Sequence, residues 1–579
     1  MGSEPSLFTA HMVTVFVEHR KSIDAILRSK HSMSSEERRK ERPMELTRRN
    51  FLESIGILGA GAAVASLAGC SQPASSAESS NGAANAESAA DAIGVTIPKN
   101  IDETIDCDIV VVGGGISGLA AAVQAAGDGL NVVMLEKTGA LGSMGGSVEG
   151  TLGVQSKMQL AAGIDFTIAD VVAHEMEVAQ YRSPGAQWIE LCTNSAGNID
   201  WALENGVEFE NVDDYYGTCA LATFHWFKNH KASDGYITPM SKRAQTLGVD
   251  CRVNTAATAL VIADNGTVQG VYAKNQSKTY RIDARAVILA SGGVGGDPAL
   301  IKEQGWTSES LMFAGNAASN GDGLRMALQA GGKNILPETC AFIMNYVPAL
   351  PSNNAPQYAD PVNGMVTGVA SCRGLGLWVN QDAKRFVNET IGFDNMMLQT
   401  MPTRANKASY VIFTESMYRD TYVPLVPEAM SILEDSVKTN DERSLFKSDD
   451  IAGLARAVGL DAERLEETVS RYNSMCTAGK DTDFMRKAEH LRIIDTGPFY
   501  IARIEQTYFT SIGGILNSAK QEALTPEHDV IPGLYVAGLD GAMLYRNVYT
   551  INLGGSCSAN NINTGRYAAI HAKEYIDAL

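Results

Sequence analysis

The sequence lacks the cysteine patterns that bind metal clusters or haem. Nine cysteines are scattered through the 579 residues without a C-x-x-C or a C-x-x-C-H motif. An iron–sulfur cluster, a thioredoxin-like motif and c-type haem attachment therefore have no support in the sequence. No metal site is predicted, and the pairing of the cysteines is left open.

Positive charge is also scarce. The chain has 47 basic and 66 acidic residues, which gives a net charge of −19. Nucleic-acid binding depends on the neutralisation of phosphates by Lys and Arg, so no nucleic-acid partner is predicted. The composition is globular, with 45% hydrophobic residues, and the chain is long enough for two domains.

The first apolar stretch is too short to span a membrane. Residues 54–69 are apolar but rich in Gly and Ala, whereas a transmembrane helix needs about 20 apolar residues. They follow the pair Arg48–Arg49, which resembles a twin-arginine export motif, and they lead into a lipobox-like sequence that ends at Cys70. Residues 44–70 are therefore predicted to be a twin-arginine lipoprotein signal. The alternative is a buried hairpin with a chance cysteine.

The segments on either side of this signal carry no catalytic motif. Residues 1–43 are interpreted as a mis-assigned start or an unstructured extension. Residues 71–103 are rich in Ser, Ala, Asn and Gly, and we expect a disordered tether because such a composition buries little apolar surface. Lipidated Cys70 would hold the exported protein on the outer side of the cell membrane.

A glycine-rich turn follows the first strongly apolar strand. The sequence DCDIVVV leads into Gly113-x-Gly115-x-x-Gly118, a helix-forming run comes next, and a second apolar strand ends at Glu136. Glycines at these positions let the backbone approach a pyrophosphate at a helix N-terminus, and the acidic residue can bind ribose hydroxyls. This βαβ context predicts a dinucleotide site. A purely structural turn is the alternative, and the motif does not separate FAD from NAD.

Two later strands return the chain to the same sheet. ARAVILASGGVGGD (284–297) and IPGLYVAGLDGA (531–542) are buried apolar runs that end in small residues. With EKTGALGSMGGSVEG (136–150), ASNGDGLRMALQAGG (318–332), RGLGLWVNQDAKRFVNE (373–389) and LGGS (553–556), they resemble the FAD-dependent flavoprotein family of fumarate reductases and succinate dehydrogenases, which includes urocanate reductases and 3-ketosteroid dehydrogenases. The resemblance covers nearly all of residues 104–579.

This resemblance implies a fold and a cofactor. The expected α/β fold is a Rossmann-like FAD-binding domain, residues 104–335 and 500–579, with an inserted α+β capping domain, residues 336–499. FAD should be bound non-covalently, because the segment 141–153 has no histidine for a covalent flavin link. Twin-arginine export carries folded proteins, which suits a chain that must bind FAD before it leaves the cytoplasm. The expected FAD-binding positions are Gly113, Gly115, Ile116, Ser117, Gly118, Glu136, Lys137, Gly145, Gly146, Ser147, Gly150, Asp322, Gly514, Asp540, Gly555, Ser556 and Ser558.

The substrate positions of fumarate reductases are changed in this chain. The arginine that would grip a substrate carboxylate before Leu-Gly-Gly is Asn552, and a histidine before the glycine pair is Thr510. The proton-delivering arginine should fall near Phe393, where there is none, and an acidic residue is replaced by Ala370. Arginine binds carboxylates through two charge-assisted hydrogen bonds. Fumarate and succinate are therefore not expected as substrates.

Tyrosines stand near the expected site instead. These are Tyr346, Tyr508, Tyr545 and Tyr549, and each alone is better explained as a core residue with a satisfied hydroxyl. Within the set, Tyr549 or Tyr346 is the predicted proton donor, and Arg373 is predicted to polarise the substrate or relay the proton. His225 is either a structural histidine beside Trp226 or a ligand-binding residue.

The sequence therefore predicts an extracytoplasmic, FAD-dependent reductase of an activated C=C bond, in which FAD N5 gives a hydride and a side chain gives a proton. The substrate would be an enone, an aryl acrylate or a similar molecule. A membrane-associated donor, quinol-linked or a cytochrome, would supply the electrons. Two alternatives stay open: a dehydrogenase of a ketone-activated C–C bond, and a non-catalytic lipoprotein that transfers electrons or binds a ligand.

Overall fold

A computed structural model describes the chain from residue 93 onward, with gaps. The described residues are 93–214, 220–306, 311–313, 315–346, 375–391, 396–423, 427, 429–439, 445–541, 544–550 and 552–579, all within the unit Ser80–Leu579. The predicted export signal with Cys70, the segment 1–43 and most of the tether lie outside them, as do Ala370, Arg373 and Phe393. No helix in the described ranges is long and apolar enough to cross a membrane.

The end of the predicted tether is wrong. Residues from 93 onward pack against the body of the protein, and Val95 is only 2% exposed, in a small cluster with Ala259. Thr96 N–H also donates to Thr258 O. Ile93, Val95 and Ile97 alternate with other residues, a period of two that lets one face of an extended segment bury its side chains.

Seventeen strands are present in the described residues: β1 (Glu103–Val112), β2 (Val132–Leu135), β3 (Gly150–Leu152), β4 (Phe209–Asp213), β5 (Phe224–Phe227), β6 (Asp250–Arg252), β7 (Ala256–Ile262), β8 (Val268–Lys274), β9 (Thr279–Leu289), β10 (Leu311–Phe313), β11 (Cys340–Tyr346), β12 (Leu377–Asn380), β13 (Ser409–Thr414), β14 (Leu445–Ser448), β15 (Phe499–Ile512), β16 (Glu522–Leu524) and β17 (Val530–Val536). The α-helices in the same ranges are α1 (Ile116–Gly127), α2 (Lys157–Ala161), α3 (Ile168–Val178), α4 (Gly185–Glu204), α5 (Thr238–Thr246), α6 (Pro298–Glu303), α7 (Asp322–Gln329), α8 (Met396–Arg404), α9 (Glu415–Tyr422), α10 (Ala429–Thr439), α11 (Ile451–Val458), α12 (Ala462–Ala478) and α13 (Ser556–Asp577).

The largest sheet has eight strands and carries the dinucleotide motif. Its main order is β16-β17-β9-β1-β2-β6, and the strands from β17 to β6 run parallel. β1 and β2 end in continuous buried apolar runs, as expected for parallel strands covered on both faces. The carboxyl ends of β1, β2, β9 and β17 therefore lie at one edge, where the glycine-rich segments follow.

A second sheet of six strands is organised around β15. The first half of this 14-residue strand pairs with β13 and β14, and its second half pairs with β10 and β11. One strand thus takes part in both the predicted capping region and the region near the C-terminal glycine pair. The proposed boundaries at 336 and 499 stay a prediction.

The core of residues 375–504 holds a buried group of four charges. Arg385 donates to both oxygens of Glu389 and to Asp481, and Arg486 donates to Glu389 and to Gly376 O. None of the four side chains is more than 5% exposed. We call Arg385, Glu389, Asp481 and Arg486 the charge cluster.

Helices α3 and α4 pack against each other, and Ser195 of α4 accepts a hydrogen bond from Val154 N–H, two residues after the end of β3. α4 also contacts the long C-terminal helix α13, where Asn198 donates to Asn563 and Arg566 donates to Asn198. Trp188 of α4 donates to Leu544 O. The α3–α4 pair therefore supports the stretch of chain immediately before α13.

Candidate functional site

The turn between β1 and α1 has the form that the glycine motif predicts. Gly113 has φ +110°, and a Cβ there would collide with Ala290 O at the end of β9. A Cβ at Gly118 would collide with Gly113 O, whereas a Cβ at Gly115 would meet nothing within 4 Å. Two glycines therefore close the turn, and the third leaves open space in front of the helix.

The N-terminus of α1 has no side-chain cap and no acidic residue in its first turn. Ile116 and Ser117 are buried against the rest of the molecule. The first N–H groups of a helix have no partner within it and attract anions. The open space at Gly115 and the uncapped helix together fit a pyrophosphate.

Glu136 follows β2 and is held beside this turn. Its Oε2 accepts from Gly114 N–H at 3.0 Å, and its Oε1 accepts from the N–H and hydroxyl of Thr138. The side chain is 5% exposed. The carboxylate is thereby oriented at the edge of the sheet, where an acidic residue can bind a ribose.

Lys137 and Asp322, both predicted to bind FAD, are brought into contact with each other. Lys137 Nζ lies 2.7 Å from Asp322 Oδ2 and also donates to Asn320. Asp322 is the first residue of α7, where a negative charge is favoured by the helix dipole. The pair joins the residue after Glu136 to the start of α7.

The segment 143–150 lies against the start of α1. Gly145, Gly146 and Ser147 belong to one 3₁₀ turn, and a Cβ at Gly145 would lie 2.7 Å from Ile116. Gly150 begins β3, where a Cβ would collide with His225 O of β5. The lack of a side chain at Gly145 and Gly150 therefore permits close packing next to the dinucleotide turn.

The start of α13 meets β3. Gly555 has φ +76° and its O accepts from Leu152 N–H at 3.0 Å. Ser558 Oγ donates to Gly150 O at 2.6 Å, and α13 has no side-chain cap. Gly150, Gly555 and Ser558 are therefore brought together, and the free N–H groups of α13 suit the electron-rich edge of a flavin.

Asp540 is held by the segment that follows β9. Its carboxyl, 2% exposed, accepts from the N–H groups of Ser291 and Gly293 and from the Ser291 hydroxyl. Burial raises its pKa, although these hydrogen bonds oppose the shift. Asp540 thus fixes the glycine-rich segment after β9. Gly514 lies alongside, since a Cβ there would be 3.3 Å from Asp540 O.

The four tyrosines differ in their surroundings. Tyr508 and Tyr545 are buried, with hydroxyls that donate to Gly295 O and to Ser556 Oγ. Tyr549 is half-buried, and its ring meets the edge of Tyr545 at 4.3 Å between centroids. Tyr346 ends β11 opposite Glu505.

The positions of Tyr549 and Tyr346 are far apart. Cys340, at the start of β11, pairs with Ile512 next to the glycine pair, and its thiol contacts the Tyr549 backbone. Tyr346 is six positions after Cys340 in the same strand, about 20 Å away along an extended backbone. The Tyr549 backbone therefore lies near the start of β11 and the Tyr346 backbone at its other end, and Arg373 lies outside the described residues.

His225 is a structural histidine. It is fully buried, its Nδ1–H donates to Thr223 O, and its Nε2 accepts from the Ser156 hydroxyl at 2.6 Å. Burial lowers its pKa to about 4, against the effect of the hydrogen bonds to backbone. The neutral ring is thus satisfied on both nitrogens.

Glu175 was not predicted from the sequence. It lies on α3, has no exposed surface, and its Oε2 accepts from the Thr550 hydroxyl at 2.8 Å. Burial raises its pKa to about 8, against the opposing effect of the Thr550 and Ser183 hydroxyls. The sequence feature that could have indicated a buried Glu175 is its position four residues after Val171, on the same face of α3.

Within the described ranges, no group of His, Cys, Asp and Glu could hold a metal ion. The donors that converge at the edge of the large sheet instead suit a dinucleotide, with a phosphate at α1, a ribose at Glu136 and an aromatic ring system near α13 and Gly514.

Comparison with known proteins agrees with this geometry. The profile described as "FAD binding domain" matches residues 108–558. The vinyl phenol reductase of Lactiplantibacillus plantarum is 29% identical over 484 residues, covering 81% of this chain and 96% of that protein. The cytochrome-type fumarate reductase of Shewanella frigidimarina is 28% identical over 479 residues, covering 81% of this chain and 77% of that one.

A solved structure shows the same fold. The 3-ketosteroid-Δ4-(5α)-dehydrogenase of Rhodococcus jostii, in complex with 4-androstene-3,17-dione, aligns with a TM-score of 0.62 at 21% identity, covering 82% of this chain and 98% of that chain. The predicted fold class, the FAD cofactor and the assignment as an oxidoreductase of C–C bonds are confirmed.

Proposed function

The chain belongs to the FAD-binding domain family, and from this premise we propose that it reduces the activated C=C bond of an uncharged or weakly charged substrate larger than fumarate. An enone, an aryl acrylate or an aryl alkene has the required chemistry. The relative named vinyl phenol reductase supports this substrate class.

One observation carries the proposal. Residues 544–550 with 552, which we call the tyrosine segment, precede α13 and contain Arg546 as their one cation. The Arg546 guanidinium donates to Glu338 Oε2 at 2.8 Å. Asn552 occupies the position at which the resemblance to fumarate reductases leads us to expect an arginine. Without a free arginine on this segment, a dicarboxylate loses its charge-assisted, bidentate hydrogen bonds.

The chemistry that FAD would supply when bound is a hydride equivalent for one carbon of the double bond. The neighbouring carbon needs a proton, and Tyr549 is our donor because its side chain is half-buried, whereas those of Tyr508 and Tyr545 are almost fully buried. The tyrosine then recovers a proton from water, so each turnover adds two electrons and two hydrogens to the substrate.

The electrons come from a partner. The sequence has no haem or iron–sulfur motif, so we propose a quinol-linked or cytochrome donor at the membrane. Export by the twin-arginine route and a lipid on Cys70 would place the protein next to such a donor.

The test is anaerobic reoxidation of the flavin. The full chain with FAD is photoreduced, and the absorbance of oxidised flavin is followed after addition of a vinyl phenol, an aryl acrylate, a cyclic enone or fumarate. We expect reoxidation by the first three. The Tyr549→Phe variant should lower the rate by about 10²-fold or more, whereas Tyr575→Phe on α13 should leave it unchanged.

Rapid reoxidation by fumarate would overturn the argument from Asn552 and Arg546. Reduction of the oxidised flavin by a saturated ketone, with no acceptor active, would favour the dehydrogenase. A flavin that exchanges electrons only with dyes would favour the non-catalytic alternative.

A further inference from the structure

Glu175 lies directly beneath the tyrosine segment. The Thr550 hydroxyl donates to its Oε2 at 2.8 Å, and Thr550 is the neighbour of Tyr549 and stands two residues before Asn552. The Ser183 hydroxyl faces the same carboxyl, but its geometry falls short of a hydrogen bond, and no other group in the described part of the chain donates to Oε1. The contact joins α3 to a segment 375 residues later in the chain.

Among the described residues, no cation contacts the Glu175 carboxyl to balance a negative charge. The titratable groups that face it are the Cys192 thiol of α4 and the Tyr545 hydroxyl of the tyrosine segment, whose pKa values the Glu175 charge helps to raise. Arg182, in the connection between α3 and α4, donates to Asn547 instead. An ionised Glu175 would therefore be a buried charge without an opposite partner, which is costly.

We propose that Glu175 is a positioning residue for the reduction: through Thr550 it holds the tyrosine segment, and with it Tyr549 and Asn552, in the reactive arrangement. The inference rests on the proposed function. It gives the α3–α4 pair a role in catalysis, although no residue of that pair matches a flavin-binding motif.

The neutral carboxyl is the form that suits this site. Burial without a cation raises the pKa of Glu175 to about 8, so the group keeps its proton at neutral pH. Above that pH the carboxyl ionises beneath the tyrosine segment, and the buried charge favours movement of the segment or entry of water. The rate of reduction should therefore fall as the pH rises through about 8.

The raised pKa of Glu175 also predicts how the stability of the fold changes with pH. In the unfolded chain a glutamate ionises near pH 4.5, whereas the folded protein keeps Glu175 protonated to about pH 8. The unfolded state thus binds fewer protons between these values, and stability falls as the pH rises from about 4.5 to about 8. The Glu175→Gln substitution should remove this loss of stability, because glutamine does not ionise.

The experiment compares Glu175→Gln with Thr550→Val and with Glu177→Gln, an exposed residue of the same helix. The kcat for reduction of an active acceptor by a reduced dye is measured from pH 6 to pH 9.5. We expect the wild-type kcat to fall through about pH 8 and the Glu175→Gln kcat to be flat there and close to wild type at pH 6. Thr550→Val should lose about tenfold in kcat at pH 6, the equivalent of one buried hydrogen bond. Glu177→Gln should follow wild type throughout.

A Glu175→Gln variant that keeps the wild-type fall in kcat would overturn the proposal. The melting temperature of both proteins over pH 4 to 9.5 separates the explanations. A gain in melting temperature for Glu175→Gln above pH 5, with an unchanged kcat profile, would make Glu175 a structural residue only and leave the proposed function intact. If the wild-type flavin reoxidises with no C=C acceptor, the proposed function fails and this inference fails with it.

Discussion

The predicted FAD-binding part and the predicted capping part bury their carboxyl groups in opposite ways. In the capping part, the charge cluster pairs Glu389 and Asp481 with two arginines. In the FAD-binding part, Glu175 and Asp540 are buried with hydroxyl and backbone N–H donors only. The pKa of Asp481 is lowered to about 2, whereas the pKa values of Glu175 and Asp540 are raised.

The presence or absence of a paired arginine distinguishes two structural roles of a buried carboxyl group in this protein. The balanced charge cluster fixes strand β12, the turn after it and the residues after α12 to one another, far along the chain from the glycine motifs. The unbalanced acids each fasten a segment at the candidate site: Asp540 holds residues 291–293, and Glu175 holds the tyrosine segment. A cation there would give a stronger pair, but it would also add a charge beside the flavin and substrate.

The largest expected effect is the loss of an arginine from the charge cluster. Arg385→Met removes three hydrogen bonds and leaves two buried carboxylates short of a partner. Removal of one member of a buried pair costs about 3–5 kcal/mol. Hydrogen exchange of peptides from residues 377–391 should rise well above that of peptides from β1.

The matched control is Arg471→Met. Arg471 also pairs with an aspartate, Asp483, but its side chain is 67% exposed, and exposed pairs contribute less than about 1 kcal/mol. Equal losses for the two variants would contradict the view that burial makes the charge cluster important.

Acid should weaken the capping part. Burial alone would raise the pKa of Asp481, but hydrogen bonds from Arg385 and from three backbone N–H groups lower it to about 2. A carboxyl with a lowered pKa stabilises the folded state above its unfolded pKa of 3.8, and that stability is lost as the pH falls through about 2. The shift corresponds to about 2 kcal/mol. Urea unfolding from pH 5 to pH 2 should show this loss, and Asp481→Asn should show a smaller slope over the same range.

A smaller effect is expected at Asp540, and it should appear in FAD binding. Asp540→Asn keeps the shape but replaces one acceptor oxygen by an NH₂ group that faces the N–H of Ser291 or Gly293. A buried donor left unpaired costs about 1–3 kcal/mol, so the affinity for FAD should fall by about tenfold or more. A fluorescence titration of the apoprotein measures it. The exposed Asp529→Asn should bind FAD as wild type does, and an unchanged affinity for Asp540→Asn would show that the 291–293 segment needs no carboxyl.

Local chemistry explains which features could be predicted. Gly113, Gly118 and Glu136 lie within one βαβ unit, so their spacing alone specifies the turn that they form. The partners of Asp540 lie about 250 residues earlier, and Glu175 and Thr550 are separated by 375 residues. Neither pair has a pattern in the sequence, because a side chain's partner across the fold leaves no periodicity.

The tyrosines show the same limit. The sequence shows that Tyr508, Tyr545 and Tyr549 lie near the C-terminus. It does not show that the Tyr545 hydroxyl donates to Ser556 or that Tyr346 ends β11. The packing at the end of the predicted tether could have been inferred from the alternation of Ile93, Val95 and Ile97, but the polar composition around these residues obscured the pattern.

The pairing of strand β15 limits where segments can be exchanged between this chain and its relatives. The strand has 14 residues and is therefore about 46 Å long. One end of it pairs with β13 and β14, and the other end pairs with β10 and β11. A chimera joined at residue 499 would keep this strand while replacing its partners β11, β13 and β14. A graft that takes β15 up to Ile512, and ends at the Gly513–Gly514 junction, would move the strand together with these three partners and would separate it from β10 alone.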